Sequence, residues 1–236
     1  MDLNTAEACL KNNTIRFRKP SEWKDPYESR YYLANYDNVI KEPFNRDLFA
    51  CCFTKQNKCE AAWKMYKADN SPCVKFCICI GQLRKFLDIY AYQHNAGLYE
   101  GNIYYGLKDD VINTLYKKSS DYYHVLFDDF NLKSFLNLMM IKRDAFSYEQ
   151  EMRFLLNGDS LCNDEDFINV PIPWNLCLKK ICYNGDMTDD EIERLKIALE
   201  SNRLLCKKQY SLYHDFFLDP EKEDIYEKKQ NILTIE

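Results

Sequence analysis

The sequence predicts an α+β protein: a single domain over residues 1–236, with a mixed, mostly antiparallel sheet and with inserted and flanking helices. Two patterns predict this class. Short runs of alternating apolar and polar residues, ended by proline, asparagine or glycine, are typical of strands. Longer segments with apolar residues three or four positions apart follow capping residues, as amphipathic helices do. No repeat, low-complexity linker or proline- and glycine-rich hinge divides the chain.

The elements before the middle of the chain follow from local signals. The first predicted strand, Thr14–Arg18, alternates between apolar and polar residues and stops before Pro20. The predicted helix, Asn57–Ala68, begins with Asn57 and Glu60 spaced as in a capping box. Apolar residues occupy both faces of the strand predicted at Cys73–Ile80, so this strand is predicted to be buried on both sides. In chain order we predict strands at Thr14–Arg18 and Phe49–Thr54, a helix at Asn57–Ala68 and a strand at Cys73–Ile80.

Residues 81–145 are predicted to form a helical insertion with a short extended break at Asn102–Tyr105. Beyond it, Thr188 and Glu191 have capping-box spacing at the start of a helix with an apolar stripe. We predict later strands at Phe167–Ile172, Leu178–Tyr183, Lys207–Tyr213 and Asn231–Ile235. The residues expected in the core are Cys51, Phe53, Val74, Phe76, Ile78, Met152 and Phe154.

Composition and charge narrow the function classes. The net charge of -5 gives no global basic field, so duplex nucleic acid would have to bind at a local patch. No apolar run approaches the roughly 20 residues of a membrane helix, and the start of the chain lacks the pattern of a secretory signal. The 11 cysteines are odd in number, lie partly in apolar runs and form no Cys-x-x-Cys. We therefore expect the cysteines to be small core residues and to form no metal site. A reducing cytoplasm is the expected location.

The segment Tyr148–Arg153 carries the chemistry of greatest interest. If it is a strand, Glu149, Glu151 and Arg153 share one face. Two carboxylates on one strand face suit an enzyme that stabilises a ribosyl cation or divides acid and base roles between them. The alternative is a half-buried strand whose charged face is solvated.

Several ordered motifs resemble an uncharacterised bacterial and phage domain family, over most of the chain. That family opens with Leu-Arg-Phe-Ser-x-Pro and Phe-Asn-Asp-Pro-Phe-Glu, whereas this chain has Lys24 and Tyr27 in the second motif. It also usually has glycine after its Trp-x-x-Tyr helix, where this chain has Asn-Ser-Pro. The matching segments are Thr14–Glu28, Cys52–Thr54, Ala62–Tyr66, Phe146–Arg153 and Ile181–Gly185.

The order of three of these pieces also resembles an ADP-ribosyltransferase site: a basic residue, a small hydroxyl residue and Glu-x-Glu on successive strands. This resemblance implies an ADP-ribosyltransferase-like fold and cleavage of NAD, bound as a substrate, through an oxocarbenium-like state. Glu151 would be the catalytic carboxylate, hydrogen-bonded by Thr54, and Glu149 would engage the acceptor. Arg16 or Arg18 would bind the phosphates, and Trp63 or Tyr66 would stack on nicotinamide.

Two other classes remain open. One is a magnesium-dependent nuclease or phosphoesterase that uses Asp25, Glu28, Glu149 and Glu151, provided that these carboxylates converge. The other is a non-catalytic binding protein, such as a component of a phage-defence or anti-defence system. The sequence specifies neither the acceptor, whether protein, nucleic acid or another molecule, nor the oligomeric state.

Overall fold

The computed structural model describes two compact units. The first contains residues 1–15, 60–87 and 170–236, and the second contains residues 16–59 and 88–169. The prediction of a single domain over 1–236 stays a prediction. Within these units the described residues are 1–23, 25, 28, 48–56, 72–107, 136–137, 139–161, 165–183, 187–201, 204, 206–211, 216–218, 225–227 and 230–235.

The described helices and strands alternate irregularly along the chain, as expected for an α+β protein. The helices are α1 (Leu3–Asn12), α2 (Ile80–Gln93), α3 (Trp174–Cys177) and α4 (Asp189–Glu200). The strands are β1 (Thr14–Arg18), β2 (Leu48–Thr54), β3 (Val74–Ile78), β4 (Gly97–Asn102), β5 (Tyr104–Leu107), β6 (Ile141–Arg143), β7 (Glu151–Asn157), β8 (Phe167–Pro171), β9 (Leu178–Tyr183), β10 (Cys206–Ser211), β11 (Phe216–Leu218), β12 (Ile225–Glu227) and β13 (Gln230–Ile235).

The first unit contains a sheet with the strand order β10-β13-β9-β3, in which every pairing is antiparallel. One face of this sheet is apolar, and there Phe76 packs edge-on against the buried Trp174. Helix α1 begins at the cap Asp2, whose side chain accepts a hydrogen bond from the backbone N–H of Thr5. The predicted capping box of Thr188 and Glu191 is confirmed at the start of α4.

The second unit is built around a sheet with the strand order β4-β7-β2-β1-β8. Strand β7 lies between β2 and β4 and is antiparallel to both. Its apolar side is closely packed, with the ring of Phe154 perpendicular to that of Phe53 at 5.8 Å between centroids. The short strands β5 and β6 pair separately and in parallel, and β6 leads directly into the 3₁₀ helix that precedes β7.

The structure confirms the α+β class with mostly antiparallel sheets. Two predicted strands, Thr14–Arg18 and Leu178–Tyr183, have the expected bounds, whereas the strand predicted to reach Ile80 ends at Ile78. The extended break predicted inside the helical insertion is instead the two strands between Gly97 and Leu107. The helix predicted at 57–68 lies outside the described residues.

The predicted core is only partly correct. Val74 and Phe154 are buried, whereas the other five predicted core residues, Cys51, Phe53, Phe76, Ile78 and Met152, keep some exposure. Within the described part of the chain, no helix is both long enough and apolar enough to cross a membrane.

Candidate functional site

The Glu-x-Glu segment is a turn followed by a strand. Residues Asp144–Glu149 form a 3₁₀ helix, and Gln150 adopts a left-handed conformation with φ of 43°. Strand β7 therefore begins only at Glu151, which is paired with Thr54. The prediction that Glu149 shares the strand face of Glu151 and Arg153 is wrong, because the turn at Gln150 interrupts the alternation before the strand starts.

The side chain of Glu149 nevertheless meets that of Glu151 in a charged cluster inside the second unit. The members of this carboxylate–cation cluster, with their exposed fractions, are Glu28 (6%), Lys142 (8%), Glu149 (5%), Glu151 (4%) and Arg153 (1%). Charged residues this deeply buried are rare unless they are paired. The alternative of a solvated charged face is therefore wrong for Glu151 and Arg153.

Lys142 lies where three carboxylates converge. Its Nζ donates to Glu149 Oε2 at 2.6 Å and to Glu151 Oε2 at 3.0 Å. Glu28 Oε2 is 3.6 Å from the same nitrogen. The ammonium also lies 4.9 Å from the centre of the Phe146 ring, within the range of a cation–π contact.

Arg153 connects the cluster to the surrounding fold. Its Nε donates to Glu151 Oε1 at 2.6 Å and its Nη2 donates to Glu151 Oε2 at 3.1 Å. Nη2 also donates to Glu28, and Nη1 donates to the backbone carbonyl of Met139 at 2.6 Å. The guanidinium stacks 4.1 Å from the ring centre of Trp23. This planar, bidentate geometry requires arginine and not lysine.

The two carboxylates differ in how fully they are paired. Both oxygens of Glu151 accept hydrogen bonds, and its backbone N–H donates to the hydroxyl of Tyr105 at 2.7 Å. Glu149 uses only Oε2, toward Lys142, and within the described residues its Oε1 has no hydrogen-bond partner. Among the described residues, therefore, Glu149 and not Glu151 has a carboxylate oxygen without a hydrogen-bond partner.

Their pKa values shift in opposite directions. Burial by itself raises the pKa of Glu151, but the charge and hydrogen bonds of Arg153, together with Lys142, lower it to about 2. Burial also raises the pKa of Glu149, and there Lys142 only partly opposes the effect. The pKa of Lys142 is raised, because the surrounding carboxylates outweigh the opposite effect of its burial. Such a divergence between neighbouring carboxyl groups is typical of sites that divide acid and base roles.

The formal charge of the cluster is negative. Three carboxylates and two cations leave one net negative charge when all five groups are ionised. Beside it, Asp25 and Arg143 form a separate pair, with Arg143 Nη2 3.1 Å from both carboxylate oxygens. In this buried setting an uncompensated charge acts on its surroundings more strongly than it would in water.

Strand β2 supplies two further polar groups. The hydroxyl of Thr54 donates to the backbone carbonyl of Glu149 at 2.6 Å and accepts from the N–H of Gln56 at 3.0 Å. Its predicted hydrogen bond to Glu151 is therefore replaced by one that holds the turn before β7. The side chain of Cys52, which is an exposed residue, is hydrogen-bonded to Glu151 instead.

The predicted phosphate-binding arginines lie on β1. Arg16 donates from Nε to Asn169 at 3.2 Å and stacks over Phe167 at 4.1 Å, so its guanidinium is directed to β8. Arg18 is exposed and pairs with Ala50 of β2. The predicted stacking residues Trp63 and Tyr66 lie outside the described residues.

The convergence required by the metal-dependent alternative is only partly present. Glu28, Glu149 and Glu151 do converge, but the ammonium of Lys142 lies between them, and Asp25 pairs with Arg143. Across the part of the chain that the structure describes, no three His, Cys, Asp or Glu side chains are arranged to hold a metal ion.

Sequence reasoning missed Lys142 and the stacking of Trp23 on the guanidinium of Arg153. Trp23 and Glu28 do lie in the Thr14–Glu28 segment. This segment and Phe146–Arg153 both resemble motifs of the same family, in the same order, and that order was the available signal. Lys142 belongs to no quoted motif. Comparison of the chain with protein-family models, with curated proteins and with solved structures found no match.

Proposed function

We propose that this protein is an ADP-ribosyltransferase-like enzyme that cleaves NAD at the carboxylate–cation cluster. One observation carries the proposal: Glu149 and Glu151 share the ammonium of Lys142, at 2.6 and 3.0 Å, while their pKa values move apart. This arrangement keeps Glu151 ionised and leaves Glu149 able to exchange a proton with the attacking acceptor, as ADP-ribosyl transfer requires.

Negative charge favours the bond cleavage. When the bond between nicotinamide and ribose breaks, positive charge develops on the ribose, and the net negative charge of the cluster stabilises it. Glu151 contributes through its charge, because both of its oxygens are already bound. Glu149 has an oxygen without a hydrogen-bond partner among the described residues, so in this proposal it contacts the substrate, where it orients and deprotonates the acceptor.

The geometry modifies the roles that the sequence suggested. Glu151 becomes the residue that fixes Lys142 and Arg153, and Glu149 becomes the catalytic carboxylate. Between the two arginines, Arg18 is the better candidate for the NAD phosphates, because it is exposed while Arg16 is engaged by Phe167 and Asn169. Trp63 and Tyr66 remain the proposed aromatic residues for nicotinamide.

The test measures nicotinamide release and ADP-ribosyl transfer separately, with protein and nucleic-acid acceptors. Glu149→Gln should abolish transfer while retaining more of the nicotinamide release, because the proposed base acts on the acceptor. Arg18→Ala should raise KM for NAD more than Arg16→Ala does. Glu165→Gln is the matched control, since Glu165 is an exposed carboxylate of the same unit.

Each alternative has its own outcome. If the wild-type protein neither binds nor consumes NAD, the proposal fails and a non-catalytic binding protein is favoured. If the protein instead cleaves nucleic acid only when magnesium is added, the metal-dependent alternative is correct. Retention of full transfer activity by Glu149→Gln would remove the assigned role of that carboxylate.

A further inference from the structure

Two cysteines and two lysines form a compact patch on one face of the β3–β9 pair. The antiparallel register places Cys77 opposite Lys180 and Lys75 opposite Cys182. Directly paired residues share a face, and so do residues two positions apart on one strand. All four side chains therefore project to the same side of the sheet, away from the apolar side where Phe76 meets Trp174.

The two cysteine side chains are in contact within this patch. Cys182 is buried and its side chain is hydrogen-bonded to that of Cys77, which is partly exposed. Both are free thiols. The arrangement combines one thiol that solvent can reach with a second, protected thiol beside it, and it has two cationic neighbours.

This environment favours a thiolate at Cys77. The hydrogen bond from Cys182 lowers the pKa of Cys77 to about 6, with burial opposing and the charges of Lys75 and Lys180 assisting. The same hydrogen bond, together with burial, raises the pKa of Cys182. The thiolate is the nucleophilic form of cysteine, and nearby cations are the usual means of stabilising it.

We propose that Cys77 and Cys182 form a redox-active dithiol that exchanges with low-molecular-weight disulfides such as oxidised glutathione. In the first step the Cys77 thiolate attacks one sulfur of oxidised glutathione, forming a mixed disulfide and releasing one glutathione thiolate. The Cys182 thiol then loses its proton to solvent and attacks the Cys77 sulfur, which forms the Cys77–Cys182 disulfide and releases the second glutathione. Two protein thiols are oxidised while one glutathione disulfide is reduced to two thiols.

The register also indicates how stable the oxidised form is. Diagonal neighbours in an antiparallel pair have Cα atoms about 7–8 Å apart. A disulfide usually spans about 4.4–6.8 Å, so the backbones of β3 and β9 must move closer together for this bond to form. The bond therefore forms under strain, and strained disulfides are readily reduced. We expect a reversible exchange site and not a permanent structural crosslink. This inference concerns the first unit and does not depend on the proposed NAD chemistry.

Peptide mapping of the wild-type protein tests the crosslink directly. After equilibration in glutathione buffers of increasing oxidation, the tryptic peptide 76–84 should be linked to peptide 181–194. Because peptide 76–84 also contains Cys79, the assignment is repeated in Cys79→Ser. Absence of this link at every ratio of oxidised to reduced glutathione, or a link that disappears in Cys79→Ser, would overturn the proposal.

Single substitutions separate the two thiols. Cys182→Ser should accumulate glutathione on Cys77, whereas Cys77→Ser should leave Cys182 unmodified. Cys9→Ser, which removes a buried cysteine of α1, should behave as the wild type. If the variants fail to fold, the wild-type protein still gives an answer: alkylation of Cys77 should rise through a midpoint near pH 6. A Cys77 that reacts only near pH 9, as an ordinary thiol does, refutes the inference.

Discussion

Replacement of Glu151 by glutamine tests whether the ionised carboxylate stabilises the fold. The pKa of Glu151 is lowered from 4.5 to about 2, and each pKa unit corresponds to about 1.4 kcal/mol. Ionised Glu151 is therefore worth about 3 kcal/mol at neutral pH relative to its protonated form. Glutamine resembles the protonated acid in size and hydrogen bonding, so Glu151→Gln should lower the free energy of unfolding by about this amount at pH 7.

The pH dependence gives the same prediction a second, independent test. A carboxyl group whose pKa is depressed in the folded state stabilises the protein above its unfolded pKa, and this stability is lost as the pH falls toward the folded value. The loss should occur between about pH 4.5 and pH 2. The difference between wild type and Glu151→Gln should shrink to about 1 kcal/mol at pH 3.

Urea unfolding at pH 7 and pH 3 measures both values. It is followed by circular dichroism and by tryptophan fluorescence, to which Trp23, stacked on Arg153, contributes. Glu165→Gln serves again as the exposed control and should change stability by less than about 0.5 kcal/mol. A loss for Glu151→Gln that stays below about 1 kcal/mol at pH 7, or that is equal at both pH values, would refute the electrostatic argument.

Three further substitutions test other parts of the fold by the same unfolding assay. Val74→Asp introduces an unpaired charge at a buried position, so the free energy of unfolding should fall by several kcal/mol, on the order of 3–5; a wild-type melting temperature would contradict the assigned burial. Thr188→Ala removes the N-cap of α4 and should lower the free energy of unfolding by about 1 kcal/mol. An unchanged stability would disprove the capping role. Lys142→Met removes the cation that lowers the pKa values of Glu149 and Glu151, so both values should rise and the variant should be destabilised more at pH 8 than at pH 5. An equal loss at both pH values would count against this pairing.

Local sequence signals were sufficient where a structural element depends on nearby residues. The alternation of Thr14–Arg18 and the spacing of Thr188 and Glu191 each specify an element without help from distant contacts. Helix α1 was missed, although Asp2 caps it and Asn13 ends it in a left-handed conformation. Both residue types also favour turns, so these short-range signals are ambiguous before packing is known.

The site was harder to predict because it depends on long-range pairing. The motif segments containing Glu28 and Arg153 were identified, but only folding brings two residues 125 positions apart into a hydrogen bond. Lys142 had no sequence signal, since a lone lysine is most often a solvated surface residue. The error at Glu149 had a local origin. Gln150 has a positive φ, which is uncommon for residues other than glycine, and a glutamine side chain does not predict it. The strand therefore starts after Glu149.

The spacing of the cluster along the chain bears on the order in which it folds. Lys142 pairs with Glu149 and Glu151 across seven and nine residues, and Glu151 pairs with Arg153 across two. Closing such short loops costs far less entropy than joining Arg153 to Glu28 across 125 residues. We therefore expect the segment from Lys142 to Arg153 to assemble its ion pairs early and Glu28 to complete them late. Substitutions at Glu28 should then mainly accelerate unfolding, whereas those at Lys142 should slow folding.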